Sequence, residues 1–151
     1  MDELTQKEAD RLIGMNKKFL NKNDIPLSDN FDIERELKSE NSQEFFVLSL
    51  RQGRIDLRKI TYNMRHKPGV PLVRLDLGDR IQHTNPDGVR IIGPHLHVYR
   101  EGYSDSFAES VPNGHFKDAD NFLKCLTVFL KFCNIEEIKV FNQKSLGGNY
   151  G

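Results

Sequence analysis

The densest set of proton-carrying side chains in this sequence is His95-Leu96-His97, followed by Tyr99, Arg100, Glu101 and Tyr103. An imidazole has its ordinary pKa near neutrality, so it can give or take a proton, or ligate a metal, at physiological pH. Read as one strand from Pro94 to Tyr103, the segment places His95, His97, Tyr99 and Glu101 on one face. Leu96 and Val98 then point to the opposite, apolar face. Such a row on a sheet surface predicts acid–base chemistry or ligand binding.

The charge distribution points the same way. The 151 residues have zero formal net charge, yet Arg51 to Tyr103 holds ten Lys or Arg against five Asp or Glu. Four of the five histidines, at 66, 83, 95 and 97, fall in that basic segment. This asymmetry suits an anionic ligand or an acidic partner, and a salt-bridged sheet surface is the plainer alternative. Charged residues make up 29% and hydrophobic residues 37%, the balance of a soluble globular domain. No apolar run approaches the ~20 residues of a membrane span. Met1-Asp2-Glu3 lacks the layout of a signal peptide, so a cytoplasmic protein without a membrane partner is expected. Cys125 and Cys133 fall on one predicted helix about 12 Å apart in rise, too far for a disulfide, and read as buried thiols.

The elements that must position these groups are legible in outline. Thr5 and Glu8 form a capping box for a first helix whose apolar face runs Ala9, Leu12, Ile13, Phe19 and Leu20. Strand patterns follow at Phe31–Leu37, Glu44–Leu50, Arg54–Tyr62 and Val70–Leu77. A bulge is expected between Leu57 and Ile60, where the apolar phase slips. Asn85-Pro86-Asp87-Gly88 is a turn with His83 at its base. Asp118 reads as the N-cap of a second helix ending near Cys133, with Asn134 as its stop. Ile135–Phe141 suits a last strand. The result is one α+β domain over 1–145 with a tail at 146–151. Its largely antiparallel sheet has an N-terminal and a C-terminal helix packed on one face. On that plan Arg54, Asp56, Arg58, Arg74, Asp76, His95, His97 and Tyr99 share the open face, with Asp56 and Asp76 as ion-pair partners of the arginines. His66, in a polar turn, reads as solvated.

The runs RIDLRKITYNMR (54–65), LVRLD, HTNPDG and PHLHVYREGY resemble a family of small uncharacterised proteins encoded in phages, prophages and chromosomes of Gram-positive bacteria. The resemblance extends from TQKEAD in the first helix to FCNI near Cys133. It implies mobile-element biology: toxin–antitoxin modules, anti-phage defence or phage counter-defence, with an antitoxin or a defence-system protein as partner.

Three functions fit these residues. The first is a toxin-like, metal-independent endoribonuclease, whose layout is similar to small bacterial toxins that cut RNA on the open face of a sheet. Cleavage through the 2′-hydroxyl needs a base, an acid and cations for the developing charge, and no cofactor. His95 and His97 would be the acid and base, beside Tyr99 and Arg100. Arg58, Lys59 and Arg74 would hold phosphate. Tyr62 and Tyr103 would stack, and His83 would approach through its hairpin. The second is a non-catalytic module that binds RNA, another anionic ligand or a protein partner through the same basic face. The third is a metal site: His95, His97 and Glu101 resemble the first motif of the cupin barrels, with His83 or His115 as a further ligand.

Overall fold

In the computed structural model, residues 3–67, 69–112 and 114–143 are described, and the expected tail at 146–151 lies outside them. The elements are α1 (Gln6–Gly14), β1 (Lys17–Phe19), β2 (Ile25–Leu27), β3 (Asp32–Ser39), β4 (Phe45–Gln52), β5 (Ile60–His66) and β6 (Val70–Leu77). They continue with β7 (Gln82–Thr84), β8 (Arg90–Ile92), β9 (His95–Val98), β10 (Ala108–Ser110), α2 (Phe122–Phe132) and β11 (Val140–Asn142). Seven strands form one antiparallel sheet in the order β1-β3-β4-β5-β6-β9-β10, with β7–β8 as a separate hairpin and β2–β11 as a parallel pair. The α+β architecture follows the sequence. No helix among the described residues is long and apolar enough to cross a membrane.

Alternation sets the core. Leu48 and Leu50 of β4, Tyr62 and Met64 of β5, Leu75 and Leu77 of β6 and Leu96 of β9 all bury on one face. Ala9 and Leu12 of α1 and Leu126, Phe129 and Leu130 of α2 join the same cluster. Thr5 caps α1, its Oγ1 accepting from Glu8 N at 3.1 Å. The expected helical stripe through Phe19 and Leu20 breaks, because α1 ends at Gly14 and Lys17–Phe19 pairs with β3 instead. Lys17 explains the break. Its buried ammonium donates to Ile13 O, Met15 O and Cys133 O at 2.9, 2.7 and 2.8 Å, closing the C-terminal ends of both helices on the first strand.

Other boundaries also moved. The phase slip after Leu57 is no bulge, because residues 53–59 are a connection and β5 begins at Ile60; the irregularity falls at Met64/Arg65. Asn121, rather than Asp118, caps α2 by accepting from Lys124 N. The last strand shortens to Val140–Asn142, and Ala108–Ser110 forms the edge strand β10. His66 is not solvated: its Nε2 lies 2.8 Å from Glu44 Oε1 and its ring tilts against Phe46.

Candidate metal centre

Register brings the chemistry together. β6 and β9 pair so that Asp76 stands opposite His95 and Arg74 opposite His97, while β5 sets Thr61 beside Asp76 and Asn63 beside Arg74. These residues occupy two neighbouring rows across the face opposite the helices. β10 covers the far side, and the β7–β8 hairpin swings His83 over the pair. The three imidazoles touch: His83 stacks on His95 at 5.5 Å between centroids, meets His97 edge-on at 4.6 Å, and His95 meets His97 at 4.9 Å. His95 is 3% exposed and His97 0%.

Each ring is oriented by a backbone carbonyl. His83 Nε2 lies 2.7 Å from Ser106 O, His95 Nδ1 2.8 Å from Gly93 O, and His97 Nδ1 2.7 Å from Asp105 O. A carbonyl can only accept, so those three nitrogens carry hydrogens, and the other nitrogen of each ring holds a lone pair when the ring is neutral and a hydrogen when it is protonated. For His95 and His97 that other nitrogen is Nε2, and both converge on Asp76 Oδ2, at 3.3 and 3.2 Å. One ring nitrogen from each of the three histidines lies within 4.8 Å of the others.

Around this group one guanidinium faces two carboxylates. Thr61 Oγ1 donates to Asp76 Oδ1 at 2.8 Å, and Arg74 Nε donates to Asp76 Oδ2 at 3.1 Å. Arg74 Nη1 reaches Asp105 Oδ2 at 2.9 Å, and its Nη2 stands 3.0 Å from His97 Nε2. Burial alone would raise the Asp76 carboxyl. The hydrogen bonds from His95 and His97, the Arg74 charge and the Thr61 hydroxyl outweigh it and hold the group far below the usual carboxylate range. For His95 burial disfavours the charge, but the Asp76 carboxylate and the Gly93 carbonyl prevail and raise its pKa.

Two imidazole nitrogens and a carboxylate oxygen at a common focus, with a third imidazole against them, are the donor set of a zinc-type site once the rings are neutral. Tetrahedral bonds of about 2.0–2.1 Å set donor atoms roughly 3.3 Å apart, which is the spacing found from Asp76 Oδ2 to the two Nε2 atoms. The backbone carbonyls behind the rings are the outer partners that orient metal-binding histidines.

Of the expected residues, His83, His95, His97 and Arg74 assemble, and Asp76 and Asp105 join them. The others stand elsewhere. Strand β9 ends at Val98, so Tyr99 leaves the histidine face for the core, where its hydroxyl donates to Leu4 O. Tyr62 is wholly buried, with its hydroxyl donating to Phe122 O and its ring on Phe129. Glu101, the cupin-like third ligand, accepts from Gln6 N at the start of α1, a favourable place for a carboxylate. Arg100 lies over the Phe107 ring, which Tyr103 meets edge-on. Arg58 pairs with Asp56 in the β4–β5 connection, which also carries the exposed Lys59. His115 rests on Phe132. The sequence placed Asp76 on the open face with the histidines but only as an arginine's partner, on its two-residue spacing from Arg74; that it stands opposite His95 came from the register.

The fold and cluster thus define a small α+β domain with a buried histidine–carboxylate centre on the sheet face opposite its helices. The chain belongs to a family of unknown function (DUF6978), whose pattern matches residues 4–135. That span includes every residue of the centre. Compared with curated proteins and with solved structures, the chain matches none.

Proposed function

We propose that this protein binds one divalent transition-metal ion, zinc fitting best, through His83, His95, His97 and Asp76. The observation that carries the reading is the locking of all three imidazoles by backbone carbonyls while the His95 and His97 Nε2 atoms meet at one carboxylate oxygen. Neutral imidazole and carboxylate donors favour zinc among the available ions, with copper, nickel and iron competing. Four protein donors make a structural site, in which binding energy becomes folding energy. The ribonuclease reading needs His95 and His97 in contact with RNA, and the burial of both rings weighs against it. Two buried free thiols support a reducing, cytoplasmic setting, and the phage and defence context implied by the resemblance belongs to the same reading.

Elemental analysis of the purified full-length chain, after incubation with excess zinc and desalting, tests this. One equivalent of zinc is expected, and cobalt(II) in its place should give intense tetrahedral absorption bands. A folded protein that retains neither ion rejects the reading.

A second reading, a partner-binding surface for an anion such as RNA, is favoured by one observation. Ile55 is 101% exposed in the β4–β5 connection, flanked by the exposed Arg54, Arg58 and Lys59. Binding to poly(U) that weakens on Arg54→Glu and Lys59→Glu would support it, and no binding by the unaltered protein would reject it.

A further inference from the structure

Three of the four proposed donors stand on the main sheet, and the fourth does not. His95 and His97 belong to β9 and Asp76 to β6, whereas His83 belongs to the β7–β8 hairpin, whose two three-residue strands, among the described residues, pair only with each other. A two-stranded hairpin of that size is marginal by itself. This one has little apolar anchorage, since Ile91 is buried but Val89 and Ile92 are exposed. Glycines flank it at both ends. Gly78 (φ +143°) and Gly93 (φ +92°) take backbone conformations that other residues rarely adopt, and a Cβ on Gly78 would stand 3.2 Å from Ile81 Cγ2.

What holds the hairpin to the sheet is polar. Asn85 acts as a substitute strand: its Nδ2 donates to Ala108 O and its Oδ1 accepts from Ala108 N, both at 2.9 Å. The amide thereby covers the open edge of β10, where unpaired backbone groups would otherwise await a partner. His83 adds its bond to Ser106 O and its ring contacts with His95 and His97.

The hairpin also touches a second feature. A cavity of about 450 Å³ is lined by Asn85 and Asp87 of the hairpin turn, by Leu96 and Val98 of β9, and by Phe107 and Ala108 beside β10. Strand alternation therefore gives β9 two tasks. His95 and His97 point to the centre, Leu96 and Val98 to the cavity, and the hairpin reaches both sides.

We infer that the ion bound by His83, His95 and His97, with Asp76 joining the last two, ties the β7–β8 hairpin to the sheet and so holds in place the hairpin wall of the 450 Å³ cavity. The inference rests on the metal reading and adds a consequence to it, that occupancy of the centre governs the hairpin. Coordination supplies a cross-link between two units otherwise joined by a few hydrogen bonds. Coupling of this kind is reciprocal: whatever loosens the hairpin must weaken the ion by the same factor.

The test is hydrogen exchange of the full chain with and without zinc, alongside a competition titration of zinc against a coloured chelator. Zinc is expected to slow at least tenfold the local opening through which the amides of residues 82–92 exchange, whereas β4 and β5 slow only as far as zinc raises global stability. Asn85→Ala, which removes no metal ligand, is expected to weaken zinc about tenfold, with its urea transition recorded to confirm folding. If zinc binds the unaltered protein stoichiometrically but leaves the 82–92 amides exchanging as before, the latch is overturned and the metal site stands. If zinc does not bind at all, the site and the latch fall together.

Discussion

Arg74 Nη2 stands 3.0 Å from His97 Nε2, the nitrogen whose lone pair an ion would need, and the same guanidinium holds Asp76 Oδ2 through its Nε. A guanidinium and a dication compete for these two atoms. Like charges a few ångströms apart repel by about 4 kcal/mol per unit pair at an effective dielectric of 20. Arg74→Met is therefore expected to tighten zinc binding by roughly tenfold or more, about 1.4 kcal/mol. A chelator competition measures it, and weaker binding in the variant would mean that Arg74 supports the ion instead.

Asp76 is the hub of the cluster, receiving Thr61, Arg74, His95 and His97. Asp76→Asn removes the charge that His95 and Arg74 face and is expected to destabilise the protein by about 3 kcal/mol, as for other buried pairs that lose one partner. Urea unfolding of the metal-stripped protein gives the number. A loss under about 0.5 kcal/mol, the range of a plain surface change, would show that the carboxylate is not structurally integrated.

Tyr62 separates a core role from the stacking role expected for it. Its hydroxyl donates to Phe122 O at the start of α2, so Tyr62→Phe should cost about 1 kcal/mol of stability. Zinc content and any poly(U) binding should stay unchanged. Loss of poly(U) binding with stability intact would restore the ligand role.

Lys17 carries the clearest pH signature. Burial lowers its pKa to about 8 although three carbonyls and the Phe46 ring favour the ammonium, and Cys133, itself pushed up by burial, is the titratable neighbour. The folded chain gives up this proton more readily than the unfolded one. Folding therefore releases a proton between about pH 8 and pH 10.5, and stability from this group rises across that window. Lys17→Met should abolish the rise and, by leaving three carbonyls unpaired, cost about 2 kcal/mol near pH 7. Parallel stability curves for the two proteins between pH 7 and pH 10 would refute the assignment.

Local signals carried much of the architecture into the sequence. The Thr5–Glu8 cap, the alternation in β3, β4 and β6 and the Asn85–Gly88 turn all appear where their residue types require them. The signals failed where a distant partner decided the outcome. Phe19 has helical spacing, yet Lys17 finds carbonyls from two helices and the backbone at 17–19 finds β3. Ile55 and Leu57 look like strand residues, but among the described residues no neighbouring strand receives them.

The same division holds for the centre. Composition and spacing alone singled out His95 and His97, placed them on one face of a strand, and brought His83 near through its turn. Which side chains meet them is a matter of register between β6 and β9 and of where β9 stops, and both depend on pairings between residues far apart in the chain. Those pairings put Asp76 and Arg74 at the imidazoles and turned Tyr99 inward; a one-residue shift would have reversed every assignment.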